Sequence, residues 1–420
     1  MRWPERGGQR KFFIHEAIEL YLRARFRFRW IMFDPATRIA IRLALFYVAM
    51  FGSIGIFLPY WPVWLESRGL SPGEIGAVIG VSFWARILTT LLVPLKAEQW
   101  GKRRLAMVVA GSIAVVGLML FALVERFWLF VLLAIVTGGA WAVILPIGEG
   151  ISLNQTHRHG IDFARVRLWG SVAFIVASVL CGLWLGRTNP AMILPVIVVT
   201  TAMVVLTSAM LPEPISHGRA EAPRLRLLLA RPELIRLMFA SGLIQASHAL
   251  LYGFASIHWL ALGQSERAVG WLWAEGVIAE VLLFALGTWL LRRMTPEKLL
   301  LLAGLITVLR WIGTAFASDL WLLILLQALH GASFAATYLA TMYFLRATVS
   351  PDQQSSVQGI YTAIGYAPLF GLLTPLSGWL YGLAAGQAFL AMAALALIGT
   401  ALAAGLKRPA AAQDLEAETG

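Results

Sequence analysis

The sequence predicts an all-α membrane protein, with twelve transmembrane helices in two pseudo-symmetric six-helix halves. Three observations carry this. The 420-residue chain is 59% hydrophobic and only 13% charged, with a mean hydropathy of +0.75, whereas about a quarter of the residues of a soluble domain are charged. Apolar runs of the roughly 20 residues needed to cross a bilayer recur along the whole length, without the alternation a barrel strand would show. A pattern of glycine and charged residues also repeats from one half to the other.

The runs fall at about 41–65, 74–95, 105–124, 127–151, 164–186, 191–211, 234–258, 267–291, 299–317, 320–345, 356–383 and 387–406. The loop 212–233 is polar, Pro-containing and basic, and it divides them six and six, giving halves at 41–211 and 234–406 with a tail at 407–420. Residues 1–40 form a basic arm in which "RARFRFRW" (23–30) suits an anionic membrane surface. The arm has no apolar h-region with a small-residue cleavage site, so no signal peptide is expected. Met32 opens a stretch that also reads as a start.

The formal charge of +12 is mostly a topology signal. With the N-terminus inside, 28 of the 34 Lys and Arg lie in or beside the arm, the even-to-odd loops and the tail. Only Arg68, Arg126, Arg187 and Arg267 lie on the other side, and Arg86 and Arg310 lie within spans. That asymmetry predicts a multi-pass protein of the bacterial inner membrane with both termini in the cytoplasm. It removes the case for nucleic acid as a partner. The lone Cys181 allows no intrachain disulfide.

The repeat lies between the first and second spans of each half. "GLSPGEIGAVIGVSFWAR" runs from Gly69 to Arg86, and "GQSERAVGWLWAEGVIAE" from Gly263 to Glu280. Gly69–Gly76 and Gly263–Gly270 share one spacing, and Gly76–Arg86 and Gly270–Glu280 another, so Arg86 is the counterpart of Glu280. Two parallel halves with a site between them near the midplane is a transporter architecture. The loop "AEQWGKRR" (97–104) resembles the acidic-x-x-Gly-basic-basic signature of the major facilitator superfamily. Glu98, Gly101, Lys102 and Arg103 match; Gln99 and Pro94 depart from it. The resemblance implies a gating role for this loop.

A charge at the centre of a bilayer costs about 2.5–3.5 kcal/mol on insertion scales, so each needs a reason. Glu149 and Arg167 flank "ISLNQTHRHG", either as an interfacial salt bridge or as a pair that grips substrate. In "VGWLWAEGVIAEVLLFALG" (269–287), Glu275 and Glu280 are five residues apart and therefore point about 140° apart. Glu280 is expected to pair with Arg86 or Arg310 as a structural and proton-coupling acid, and Glu275 to line the cavity. Gln327 and His330 share a helical face. His248 and His258 lie some 80° apart on one helix and lack further ligands for a metal. Tyr252, Trp259 and Trp273 could stack on an aromatic substrate, although seventeen tryptophans also suit interfacial belts. "GYAPLFG" (365–371) with Pro368 and Pro375 suggests a broken eleventh helix lining a cavity.

"RLWGSVAF" (167–174), "QASHALLYGFASIHW" (245–259), "VGWLWAEGVIAEV" (269–281) and "LRWIG" (309–313) resemble the 3-phenylpropionate/proton symporter branch of the superfamily, a relative of lactose permease and nucleoside symporters. The likeness runs from about Met32 to Lys407. It implies functional roles for Glu149, Arg167, Glu275 or Glu280, Arg310 and His330; with the residues read above, the candidate substrate contacts are Arg86, Glu149, Arg167, His248, Tyr252, Trp259, Glu275, Arg310, Gln327 and His330, and the candidate proton carriers Glu280, Glu275 and His330. Lactose permease has an acid one turn after the histidine; here that position is Ser333, which moves proton duty towards the eighth helix.

The expected function is therefore proton-coupled uptake of a small, aromatic organic acid by a monomer that uses the proton gradient and no cofactor. Symport of a nucleoside or sugar, and drug efflux by antiport, are the alternatives. An enzyme is not expected: the chain has no HExxH, P-loop, GxSxG or CxxC, and "HRH" (157–159) has no acidic partners at metal-ligand spacing.

Overall fold

A computed structural model describes residues 34–213, 231–349, 361, 365 and 367–407. Residues 1–33 of the expected arm, 214–230 of the central loop and 408–420 of the tail lie outside the described residues, as do 350–360, 362–364 and 366 in and before the eleventh span.

Twelve helices cross the described structure. In the first half these are α1 (Pro35–Ser67), α2 (Pro72–Gln99), α3 (Arg103–Phe121), α4 (Phe127–Ala142, continuing as Ile144–His159), α5 (Phe163–Leu185) and α6 (Ile193–Ala209). The second half has α7 (Pro232–Ala246, continuing as Ala249–Ala261), α8 (Glu266–Ala285), α9 (Pro296–Phe316), α10 (Leu320–Ala328, continuing to Ala336–Thr348), α11 (Ala367–Ala384) and α12 (Phe389–Ala404). Ala385, at φ +46°, turns the chain between the last two. Leucines such as Leu88, Leu309 and Leu372 are more than 60% exposed on the outer surface, where lipid would meet them.

The breaks have local causes. Pro146 has no N–H to give to the Ala142 carbonyl, and α4 breaks at Val143. In α7 the side chains of Ser247 and His248 engage the carbonyls of Ile244 and Gln245, competing with the backbone ladder. The segment Gly331–Ala335 of α10 winds as π-helix, a form concentrated at functional sites.

The repeat has matching conformation. Gly69 and Gly263 sit at φ +81° and +83°, a region that glycine enters without steric penalty. Two residues later Ser71 and Ser265 cap α2 and α8, accepting from the Glu74 and Ala268 amides.

The halves meet most closely at the end of the bundle that carries these two turns. A Cβ at Gly270 of α8 would stand 2.5 Å from the Ser178 carbonyl oxygen of α5, and one at Gly378 of α11 would stand 2.3 Å from the Pro72 carbonyl oxygen of α2. Ser178 Oγ donates to the Gly270 carbonyl at 3.3 Å, and Tyr60 of α1 donates to the Ser178 carbonyl at 3.0 Å. Cys181 is buried beside this seam. Among the described residues, the close backbone approaches between halves fall on the first half of α2, the last third of α5, the first third of α8 and on α11. The bundle is thus closed at this end.

Candidate functional site

Below the seam, α8, α9 and α10 bring five polar side chains together. Arg310 of α9 is 1% exposed and is held by α10. Its Nε–H donates to the Leu326 carbonyl at 2.8 Å, one terminal nitrogen donates to His330 Nδ1 and to Ser333 Oγ at 3.0 Å each, and the other donates to Gln327 Oε1. Gln327 in turn donates to the Leu272 carbonyl of α8 at 3.1 Å. Four of the five N–H groups of the guanidinium are thereby used.

This bonding fixes the histidine. A guanidinium only donates, so His330 Nδ1 accepts and its ring proton sits on Nε2. Nε2 lies 2.9 Å from Glu280 Oε1 of α8. The result is a directed chain, Arg310 to His330 to Glu280. His330 cannot take a second proton on Nδ1 without losing Arg310. Glu280 is the group in the chain that can change its proton count with the other bonds intact.

Glu280 also lies within electrostatic reach of Arg167 on α5, across the interface. Arg167 Nε is 3.7 Å from Glu149 Oε1 of α4, and its guanidinium lies 3.8 Å over the Phe51 ring. Glu280, Arg167 and Glu149 keep side-chain exposures of 24, 30 and 39%. With the other end closed, that exposure opens towards the chain termini.

Aromatic rings surround the charges. Tyr252 of α7 stacks on Trp273 at 6.0 Å and 20°, lies 6.0 Å from Phe370, and meets His330 and Phe334 edge-on. Phe370 stacks on Phe83 of α2 at 5.4 Å, and Arg86 lies 4.8 Å over Phe83. The ladder crosses from one half to the other. His248, fully buried, engages two carbonyls through Nδ1 and faces Ser333 Oγ at 3.4 Å through Nε2.

Several expectations need correction. Glu280 bonds His330 rather than Arg86 or Arg310; Arg310 acts on it through the imidazole, because α9 packs against α10 and spends its fork there. Glu275 does not line the central site. The 140° offset carries it to the outer face of α8, into a groove with Trp271, Ile278, Leu320 and Ile324. Trp259 is 2% exposed and packs behind Trp273, one layer from the cavity. His258 lies at the closed end, 3.4 Å from the Tyr381 hydroxyl. In the 97–104 loop, Arg103 pairs with Glu98 across a turn whose Gly101 has φ +62°. Sequence reasoning missed Ser333, Phe83, Phe334 and Phe370 as part of the centre. Aromatics at helical spacing otherwise read as ordinary core.

A check on the chain follows directly. Arg310→Lys keeps the charge but replaces a planar fork with three donors on one atom. It is expected to destabilise the protein by about 1–3 kcal/mol for each acceptor left unpaired, read as a lower thermal unfolding midpoint in detergent.

Two six-helix halves, with a charged and aromatic centre between them that is open at one end, define a secondary transporter rather than an enzyme. Residues 40–391 match the MFS_1 like family. The chain is 30% identical, over 84% of its length and 94% of the relative's, to a probable 3-phenylpropionic acid transporter of Escherichia coli (strain K12). It is 26% identical to a maltose permease of Geobacillus stearothermophilus, over 76% of this chain and 82% of that one. The crystal structure of the nucleoside transporter NupG superposes with a TM-score of 0.77 at 19% identity, covering 88% of this chain and 98% of that one. This chain belongs to the MFS_1-like family of major facilitator transporters.

Proposed function

We propose that the chain is a proton symporter for a small aromatic carboxylate, such as 3-phenylpropionate, working as a monomer in a bacterial inner membrane with both termini in the cytoplasm. The observation that carries the reading is the Glu280 carboxylate, bonded to a histidine whose tautomer is fixed and within electrostatic reach of the partly exposed Arg167. The relative of probable 3-phenylpropionic acid specificity supports the substrate class, and the aromatic ladder around Tyr252 supplies faces on which a phenyl ring stacks.

Coupling follows from competition for one cation. Four of the five Arg310 N–H groups are spent on α10 and the residue is 1% exposed, so the substrate carboxylate goes to the more accessible Arg167 fork, beside the Phe51 ring. An anion there weakens the attraction between Arg167 and ionised Glu280, and burial favours the neutral form of a carboxyl. Substrate and proton therefore bind together and leave together. The proton gradient supplies the energy, with no cofactor. Glu98 and Arg103 hold the 97–104 loop at the cytoplasmic end, where it gates access.

The test is uptake of labelled 3-phenylpropionate into right-side-out vesicles with an imposed inward proton gradient. Accumulation that a protonophore abolishes is expected. Gradient-driven uptake of a nucleoside or of maltose, with none of the acid, would overturn the substrate; accumulation driven by an outward gradient would overturn the direction.

A companion prediction concerns Arg167. Arg167→Lys is expected to raise KM for the acid about tenfold or more, the loss of one bidentate charge-assisted contact being of order 1.5–3 kcal/mol, with a smaller effect on the maximal rate.

A further inference from the structure

The outer face of α8 carries a feature that the central site does not use. The stripe Ala268, Trp271, Glu275, Ile278 and Leu282 runs down α8 to Leu286 at its C-terminal cap, opposite Leu320, Ile324, Ala328 and Ala332 of α10. Between them lie two adjoining hollows of about 500 Å³ and 400 Å³, which share Glu275 and Ile278. Trp271, Ile278, Leu282 and Leu286 are between 39 and 59% exposed, so the groove opens sideways, towards lipid. Glu275 is the tenth residue of a 20-residue helix, and therefore stands near mid-membrane. Among the described residues no hydrogen bond or ion pair reaches its carboxylate.

We propose that this groove is a lateral binding site for lipophilic organic cations, with Glu275 as the counter-ion. A carboxylate at this depth needs a proton or a cation, and an organic cation dissolved in the bilayer is the charge that can reach it from the lipid side. The aliphatic and indole walls bury the apolar body of such a molecule while the carboxylate neutralises its centre, a combination that lipid tails alone do not match. A second copy packed on this face about a two-fold axis through α8 would instead set one Glu275 against the other. Arg267 lines the mouth, eight residues or about 12 Å along the axis from Glu275, at the aqueous end where solvent screens it. The floor of the groove is the tight approach of Gly331 to the Ala279 carbonyl, which separates it from the Glu280–His330 bond, so the two carboxylates serve different sites.

The experiment is equilibrium binding of labelled tetraphenylphosphonium to the purified chain in lipid nanodiscs. Saturable binding is expected, weakened tenfold or more in Glu275→Gln and also in Ile324→Trp, which keeps the acid but fills the groove. Glu280→Gln is expected to bind as the wild type does. Absence of saturable binding, or equal affinity in Glu275→Gln, would overturn the proposal. So would a loss confined to Glu280→Gln, which would put the cation in the central site. Because no substrate transport is read, failure of this site and failure of the symport reading are distinguishable.

Discussion

Replacing Glu280 with glutamine is expected to abolish gradient-driven accumulation, by two orders of magnitude or down to background, while exchange of labelled for unlabelled substrate continues. Glutamine has the shape of the acid and a carbonyl oxygen that still accepts the His330 Nε2–H, so the chain from Arg310 stays bonded. It cannot carry a proton. The translocating form of the carrier, in which the site is neutral, is then permanently present, and substrate crosses downhill or in exchange without being driven. Vesicle uptake with and without a gradient, beside counterflow of labelled substrate, separates the two activities. Full accumulation in this variant would remove Glu280 from proton duty. Loss of exchange as well as accumulation would make it a structural residue.

Gly270→Trp is expected to reduce transport at least a hundredfold while leaving insertion and folding intact. The tight approach is between halves, at the Ser178 carbonyl 2.5 Å from an added Cβ. A rigid backbone at that distance cannot give, and overpacking of this kind forces the elements apart. The indole therefore keeps the seam from shutting, and the carrier rests open at the end that is closed here. Each half remains packed within itself, so the protein should still purify as a monodisperse species. Normal transport by Gly270→Trp would show that the seam is not part of the cycle.

Much of this architecture was legible in the sequence because lipid imposes it. A helix must satisfy its own backbone, and so the apolar runs report the spans closely. The main differences are at ends such as α4, which runs eight residues past the expected stop to the left-handed Gly160. The Gly69/Gly263 repeat was legible because turn chemistry is local. The opposed directions of Glu275 and Glu280, and the shared face of Gln327 and His330, follow from helical geometry alone. What helical geometry does not contain is the rotation of one helix against its neighbour. Whether Arg310 meets Glu280 or the carbonyls and side chains of α10 depends on how the α9–α10 hairpin packs, and on a π-helical segment for which Gly331, Ala332 and Ala335 offer no distinctive pattern. The aromatic ladder is tertiary for the same reason: Phe83 and Phe370 are 287 residues apart in sequence and adjacent in space.

The single cysteine of the chain has a practical consequence. Cys181 stands 6% exposed beside Tyr60, Ser178 and Gly270, behind the contact that shuts one end of the bundle. A membrane-impermeant maleimide reaches that sulfur only while the contact is parted. The labelling rate of the unaltered protein, divided by the rate for an open thiol, therefore reads the fraction of time spent open at this end, with no reporter group introduced. Substrate, proton gradient and the Gly270→Trp wedge can all be ranked on that one scale.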